Sequence, residues 1–439
     1  MSEFSTLYIA GYEVDYWRNC VGGEIAILFT EGDLMEVPSR DSEGDEGDVP
    51  EGEGGQQGED KEEEAFDYLY VRTAGNVIDR LEVLGFTLDQ AKKDFEEGVT
   101  EVIEDSKRSG INNIFPEGGD DLLTLPPHAT YEATVKFYEG FTFDVWSGLI
   151  KEVIDRKMRR IYSFDDERQA LRKENPHLYH VLESRDGALV WGFPAHHPAY
   201  IYRAMLEVVP IDAPVTLDIS SLVGYVEPYF YTCEPPKTVI LTEGSSDKRI
   251  LQESLNFLYP HLYDYYSFID FDLTNMPGST GHLLNIVKAF VATGVERRTV
   301  AIFDNDTAGH DALRQLANVP LPENIKVMAL PHLDFATRYP TVGPQGRVEV
   351  DINGLACSLE LYLGHDILQD TAGDLTPVRW GGWMPGARQY QGEVQNKAAI
   401  QERYFRLLSK VSENPELMET HDWSGMRLVL QGIFDLFKV

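Results

Sequence analysis

Cysteine is nearly absent: Cys20, Cys233 and Cys357 are the whole complement of 439 residues. They stand far apart with no CxxC spacing. That argues against a disulfide framework and a cysteine-based zinc site, and it fits a reducing, cytoplasmic setting. No apolar run approaches the ~20 residues that cross a bilayer, so no membrane association is expected. Met1 to Ala10 holds neither a basic stretch nor a long apolar one, and no secretory signal is expected there. A phosphate loop of the GxxxxGK[ST] type is missing too, because Pro277-Gly278-Ser279-Thr280-Gly281-His282 lacks the lysine. No GxGxxG follows a strand-like run. ATP hydrolysis by a P-loop in this chain is therefore not expected.

Basic residues are scarce. Lys and Arg total 38 against 73 Asp and Glu, a formal charge of −35. The segment 41–64 contributes twelve acids and Lys61 to this balance. It is rich in Gly and acid, has almost no apolar residues, and is expected to be a disordered insertion. Few lysines and an acidic surface would suit a high-salt cytoplasm, where surface fields are screened within a few Å; an ordinary acidic protein is the plainer reading. In either case a phosphate-binding surface would be a local groove, since a broad face would need many more Lys and Arg.

What is present reads as a mainly helical α+β part over 1–234, an α/β part over 235–370, and a helical extension over 371–439. Residues 1–40 hold short strand-like runs, Glu24–Phe29 (EIAILF) among them. Ala65 to Ser109 looks helical, with Val77, Leu81, Leu84 and Leu88 at 3–4 spacing. A second helical stretch runs from Tyr131 to Lys173, broken near Gly140 and around Ser163 to Asp165. Residues 185–232 read as short strands, a helix at about 198–208 and a connector, with Asp186-Gly187 as a turn signal. After Pro235-Pro236 the character changes. Apolar strand runs at 239–242, 266–271, 299–303 and 325–330 alternate with helical patterns. This predicts a parallel sheet with helices on both faces. From about 394 to 437 two amphipathic helices are expected, with Trp423, Leu428, Leu430, Ile433 and Phe434 on their apolar faces.

In open parallel sheets, functional groups collect at the carboxyl ends of strands. The first buried strand here ends in Glu243-Gly244, and Asp247 falls in the first turn of the next helix. The strand at 299–303 ends in Asp304-Asn305-Asp306. Three or four carboxylates are thus expected at one sheet edge, where they would repel and raise one another's pKa. A hard divalent cation removes that conflict, and Mg²⁺ takes a few carboxylates plus water and phosphate oxygens. Plainer explanations stand beside each residue. The Asp304–Asp306 segment before Thr-Ala-Gly also reads as a strand–helix turn with an Asp cap. Asp247 also suits a helix N-terminus.

VILTEGSSD followed by AIFDNDTAG resembles the Toprim domain of primases, type IA topoisomerases and the OLD-family nucleases, and the Glu-Gly-x-x-Asp form resembles the OLD-like branch. Downstream, the segment from Asp351 to Glu360 and on to Gly364 is similar to that branch's acidic element. Gln391-Gly392-Glu393-Val-Gln-Asn396-Lys397 is similar to its late lysine element. Ser5–Ile9 and Ala74–Phe95 resemble the N-terminal region of HEPN/Toprim-associated proteins. The resemblance implies a Toprim catalytic domain over 235–370 completed by 371–439, and a HEPN/Toprim-associated domain over 1–234. It implies that Glu243, Asp304 and Asp306 bind metal and act in catalysis. Asp247 and Glu360 would serve a second ion, and Lys397 would neutralise phosphoryl charge. Glu360 and Lys397 also read as a partnered structural acid and a solvated helix charge.

The expected activity is Mg²⁺- or Mn²⁺-dependent phosphodiester hydrolysis of DNA or RNA, with two ions. By resemblance it would act in defence against phage or foreign nucleic acid and could work with a separate partner ATPase. Self-association is left open. HEPN ribonucleases use Arg-x4–6-His, and Arg172 and His177 fit that spacing, although Pro176 would break the helix meant to carry them. Metal-independent ribonuclease chemistry at that pair is one alternative; a non-catalytic Mg²⁺-binding interaction module is another. His180, His196 and His197 carry no recognisable pattern, and His310 reads as a surface helix position.

Overall fold

In the computed structural model the described residues are 3–39, 66–109, 131–159, 166–183, 190–223, 234–269, 278–370 and 372–438. The expected insertion at 41–64, the break at Ser163 to Asp165 and the Asp186-Gly187 turn lie outside them. The chain divides into two compact units that meet in sequence at Pro235 and Pro236. Among the described residues no helix is long and apolar enough to cross a membrane.

The first unit is built on an antiparallel sheet of β1 (Phe4–Ile9), β2 (Tyr12–Arg18), β3 (Leu34–Pro38), β4 (Phe66–Thr73) and β5 (Pro214–Asp218). The order is β2-β1-β5-β4-β3. Helices Ala74–Val83, Leu88–Ser109, Tyr131–Gly140, Phe143–Arg156, Asp166–Glu174, Pro176–Leu182 and Pro198–Leu206 fall between β4 and β5 in the chain. Trp146, Ile150, Val153, Phe193 and Leu81 join Leu7, Val14 and Leu217 from the sheet in one buried core. A buried ion pair fixes the first of these helices: Arg80 donates to Asp33 and to the Leu28 carbonyl, with both charged side chains shielded from solvent.

Two expectations fail here. Glu24–Phe29 is not a strand: Gly23–Ala26 is a helical turn. Its buried residues, Ile25, Ala26, Leu28 and Phe29, recur at helical rather than alternating intervals. Phe66–Thr73, merged above into a helix, is β4. Its Tyr, Leu and Val content suits a strand, and the helix begins only where Thr73 caps it by accepting from the Asn76 amide.

The second unit has a parallel sheet of β6 (Thr238–Leu241), β7 (Tyr266–Phe268), β8 (Thr299–Phe303) and β10 (Ile325–Ala329), ordered β10-β8-β6-β7. Between β8 and β10 comes the two-residue β9 (Asn305–Asp306). Val300, Ala301, Ile302 and Phe303 are all buried, as expected of a strand covered on both sides. Leu283, Leu284, Val287, Ala312 and Leu316, from helices Thr280–Thr293 and Thr307–Leu316, pack together on the sheet. Helix Ser245–Leu258, which does not contribute to that cluster, bonds through its Ser254 to Tyr404 of helix Lys397–Glu413. The chain leaves β6 toward β7 and returns past β6 to β8. The carboxyl ends of β6 and β8 therefore flank the topological switch point, where ligands enter such sheets.

A second sheet follows, of β11 (Tyr339–Gly343), β12 (Gly346–Val350), β14 (Val378–Met384) and β15 (Gln389–Val394), ordered β12-β11-β14-β15. Here β13 (Ala356–Cys357) pairs with β9. The segment 371–439, expected to be helical, thus opens with the β14–β15 hairpin before helices Lys397–Glu413 and Ser424–Asp435. In the last helix Leu430, Ile433 and Phe434 are buried as expected, whereas Leu428 is 44% exposed and Val429 takes the core position.

Candidate active site

Glu243 leaves the end of β6 and Asp304 leaves the end of β8. With Asp247, from the first turn of helix Ser245–Leu258, they line one cavity of about 10 Å³. Its remaining wall is apolar: Leu251, Ile302, Leu330 and Leu359, plus Thr242. That volume is close to one water-sized sphere. Glu243 is held by two donors, the Asp304 amide at 3.0 Å and the Thr280 hydroxyl.

The electrostatics follow from enclosure. Burial pushes the Glu243 carboxyl up, against the Thr280 and Asp304 hydrogen bonds that favour its charged form. Burial also pushes Asp247 up to about 7, helped by Glu360 and Glu243 and opposed by Lys397. Asp304, half-buried at the end of β8, is raised well above the usual carboxylate range by burial and then by Asp247, Glu243 and Asp306. The Lys397 ammonium, 3.6 Å from Glu360 and 3.7 Å from Glu393, is pushed up by those neighbours against the effect of burial.

The outer residues are engaged differently. Asp306 caps helix Thr307–Leu316, accepting from the Gly309 amide at 2.7 Å, while its other oxygen accepts from Gln391. The helix-cap alternative for this Asp is therefore realised. Glu360 is buried and accepts from Ser358 at 2.6 Å and Gln401 at 2.8 Å. Gly309 lets the helix press on the end of β8: a Cβ there would lie 2.1 Å from the Asp304 carbonyl oxygen. Among the described residues, no three His, Cys, Asp or Glu side chains are already arranged to hold a metal ion.

Six residues singled out from the sequence, Glu243, Asp247, Asp304, Asp306, Glu360 and Lys397, thus act electrostatically on one another. Arg172 and His177 have other engagements. Helix Asp166–Glu174 ends before Pro176, which starts the helix carrying His177. Arg172 lies over the Tyr179 ring, and His177 Nε2 lies 3.3 Å from the Phe137 carbonyl. His310 is exposed, as expected, with Nε2 at 2.8 Å from Asn305 Oδ1. Thr280, Gln391 and Gln401 were not anticipated. Thr280 lies in the segment rejected as a phosphate loop, and only the fold brings the two glutamines to the acids. His196 also gains partners invisible in sequence, with Nδ1 at 2.7 Å from Asp94 and Nε2 at 3.1 Å from Glu101.

The profile of the HEPN/Toprim N-terminal domain 1 family matches residues 1–236, more than half of the chain. The chain belongs to that family. No curated protein and no solved structure matches it.

Proposed function

We propose that this chain is a divalent-metal-dependent endonuclease of the OLD-like Toprim type, hydrolysing phosphodiester bonds in DNA or RNA. The observation that carries this reading is the meeting of Glu243, Asp247 and Asp304 at one small cavity beside the switch point of a parallel sheet. Packing alone has no use for that arrangement, since enclosed carboxylates repel and resist ionisation. A divalent cation relieves both penalties, and an all-oxygen donor set fits Mg²⁺ or Mn²⁺. Asp304 and Asp306 would hold one ion, with Glu243 as a further ligand or as the acid–base group, and Asp247 and Glu360 would serve a second. Asp306 and Glu360 would turn from their present partners to do so.

When bound, the ions supply Lewis-acid stabilisation of phosphoryl oxygens and a water acidified for attack. The protein supplies the rest. Thr280 and the Asp304 amide fix the Glu243 carboxylate; where it is not taken up by an ion, its raised proton affinity suits it to accept a proton from attacking water. Glu360 and Glu393 keep the Lys397 ammonium charged beside the acids, where it can offset negative charge building on the phosphoryl group. Family membership and the likeness of the Toprim motifs support a role in defence against phage or foreign nucleic acid, with a separate partner ATPase.

The test uses purified full chain with plasmid DNA, single-stranded DNA and total RNA, in Mg²⁺, Mn²⁺ or EDTA. Wild type is expected to cut only with metal, and Glu243→Gln and Asp304→Asn are each expected to abolish cutting. Cutting that persists in both variants and in EDTA refutes the reading and moves the chemistry to Arg172 and His177.

A further inference from the structure

The β14–β15 hairpin carries an aromatic surface that the carboxylate chemistry does not use. In the second unit, the exposed large apolar side chains among the described residues are Val348, Trp383, Tyr390 and Leu428. The two aromatic ones, 51% and 55% exposed, sit directly opposite each other across the hairpin. Their rings meet edge to face at 5.1 Å, with about half of each side chain exposed. Trp380 stands opposite Gly392 on the same pair of strands.

The register explains how these rings come to share a face. Trp380 and Trp383 are three residues apart, which in a regular strand would turn them to opposite sides. The register shifts between them, so three steps on β14 match two on β15. The bulge at Gly381-Gly382 restores Trp383 to the side of Trp380 and Tyr390. Gly392 leaves room for the indole, since a Cβ there would lie 3.3 Å from Trp380 Cε3 and 2.7 Å from Ala356 Cβ.

Trp380, Trp383, Tyr390 and Arg388, with Pro344 and Leu355 among their neighbours, line an open groove of about 600 Å³. Among the described residues no carboxylate lines it, although the chain carries a net −35. The groove is also tied to the acids. Leu355 bridges to Asp306, the Tyr390 carbonyl accepts from Thr307 at 2.9 Å, and Gln391 bonds Asp306.

We infer that this groove binds single-stranded nucleic acid, with unpaired bases stacking on Trp383 and Tyr390 and Arg388 beside the backbone. Aromatic faces accept any base, and an arginine in a lining without carboxylates suits a polyanion. A second copy of this chain, itself strongly acidic, is disfavoured by charge. The inference rests on the endonuclease reading and narrows its substrate to strands with unpaired bases near the carboxylates.

The test is fluorescence anisotropy of the full chain in EDTA with labelled dT20, U20 and a 20-base-pair duplex. Wild type is expected to bind at least one single strand more tightly than the duplex, and the two single strands separate DNA from RNA. Trp383→Ala and Tyr390→Ala are each expected to weaken that binding about 5- to 150-fold, the equivalent of ~1–3 kcal/mol of stacking. Both side chains are more than half exposed, so folding is expected to survive, as circular dichroism would check. Leu428→Ala, at an exposed apolar side chain outside the groove, is expected to bind as wild type does. If Glu243→Gln stops cutting but the aromatic variants bind unchanged, the groove inference falls and the carboxylate reading stands. If the aromatic variants lose binding while Glu243→Gln still cuts, the carboxylate reading falls alone. A duplex preference, or a self-association lost in Trp383→Ala with no single-strand binding, overturns the inference.

Discussion

Asp247→Asn should make the metal-free protein more stable while impairing its chemistry. The Asp247 carboxyl moves from an ordinary 3.8 to about 7 on folding, first through burial and then through Glu360 and Glu243. In the unfolded chain it ionises near pH 4. In the folded protein it holds its proton until about pH 7. Above that, the folded state carries the full cost of a charge it resists; below pH 4 both states are protonated and the cost vanishes. At ~1.4 kcal/mol per pH unit the ceiling is about 4 kcal/mol at pH 8 and about 1–2 kcal/mol at pH 5. Lys397 and the neighbouring acids share the charge, so Asn should stabilise by about 2–4 kcal/mol at pH 8 and by clearly less, about 2 kcal/mol at most, at pH 5. The assay is urea unfolding in EDTA at both pH values, followed through the transition of the second unit. Added Mg²⁺ should narrow the gap, since at 100-fold excess over Kd it would stabilise the wild type by ~2.7 kcal/mol. A variant equally destabilised at both pH values would refute the reasoning.

Three further outcomes follow from the packing. Arg80→Met strands Asp33 in the first unit's interior with Arg72 as its remaining cation, and should cost about 3 kcal/mol in urea unfolding; a loss below 1 kcal/mol would contradict it. Gly309→Ala pushes a methyl into the Asp304 carbonyl and should destabilise the second unit by ~1–3 kcal/mol or more and abolish cutting. Wild-type stability with that substitution would show that the helix does not press there. His196 should titrate above its ordinary 6.5, because Asp94 and then Glu101 favour the imidazolium. Its contribution to stability is then full below about 6.5 and fades as pH rises through the raised value. An NMR titration of its ring should move down in Asp94→Asn, and no change would remove Asp94 as the cause.

The second unit's strands and their terminal acids were readable because both signals are local. Val300 to Phe303 are apolar in succession, and Asp304 follows at once. At Asp306 the same locality left two readings open, because a metal ligand and a helix cap look identical until the Gly309 amide is located. Gln391 could not be placed on Asp306 from sequence, since 85 residues separate them and only the β14–β15 hairpin closes the gap. Phe66–Thr73 was lost to its neighbour because a strand running straight into a helix offers no Gly or Pro between them. The partners of Glu360 became visible only when helix Lys397–Glu413 delivered Gln401 and Lys397 together.

The position of β5 has a consequence for synthesis. It lies between β1 and β4 in the sheet, yet it follows β4 by 140 intervening residues, from Thr73 to Pro214. At ~5–20 residues per second, a ribosome would take about 7–30 s to deliver it. Throughout that interval β1 and β4 each lack the neighbour that covers one backbone edge, which is the template on which strands of other chains join. The nascent chain is thus most prone to misassociation while its helices are being made, and holding factors that cover strand edges would act in that window.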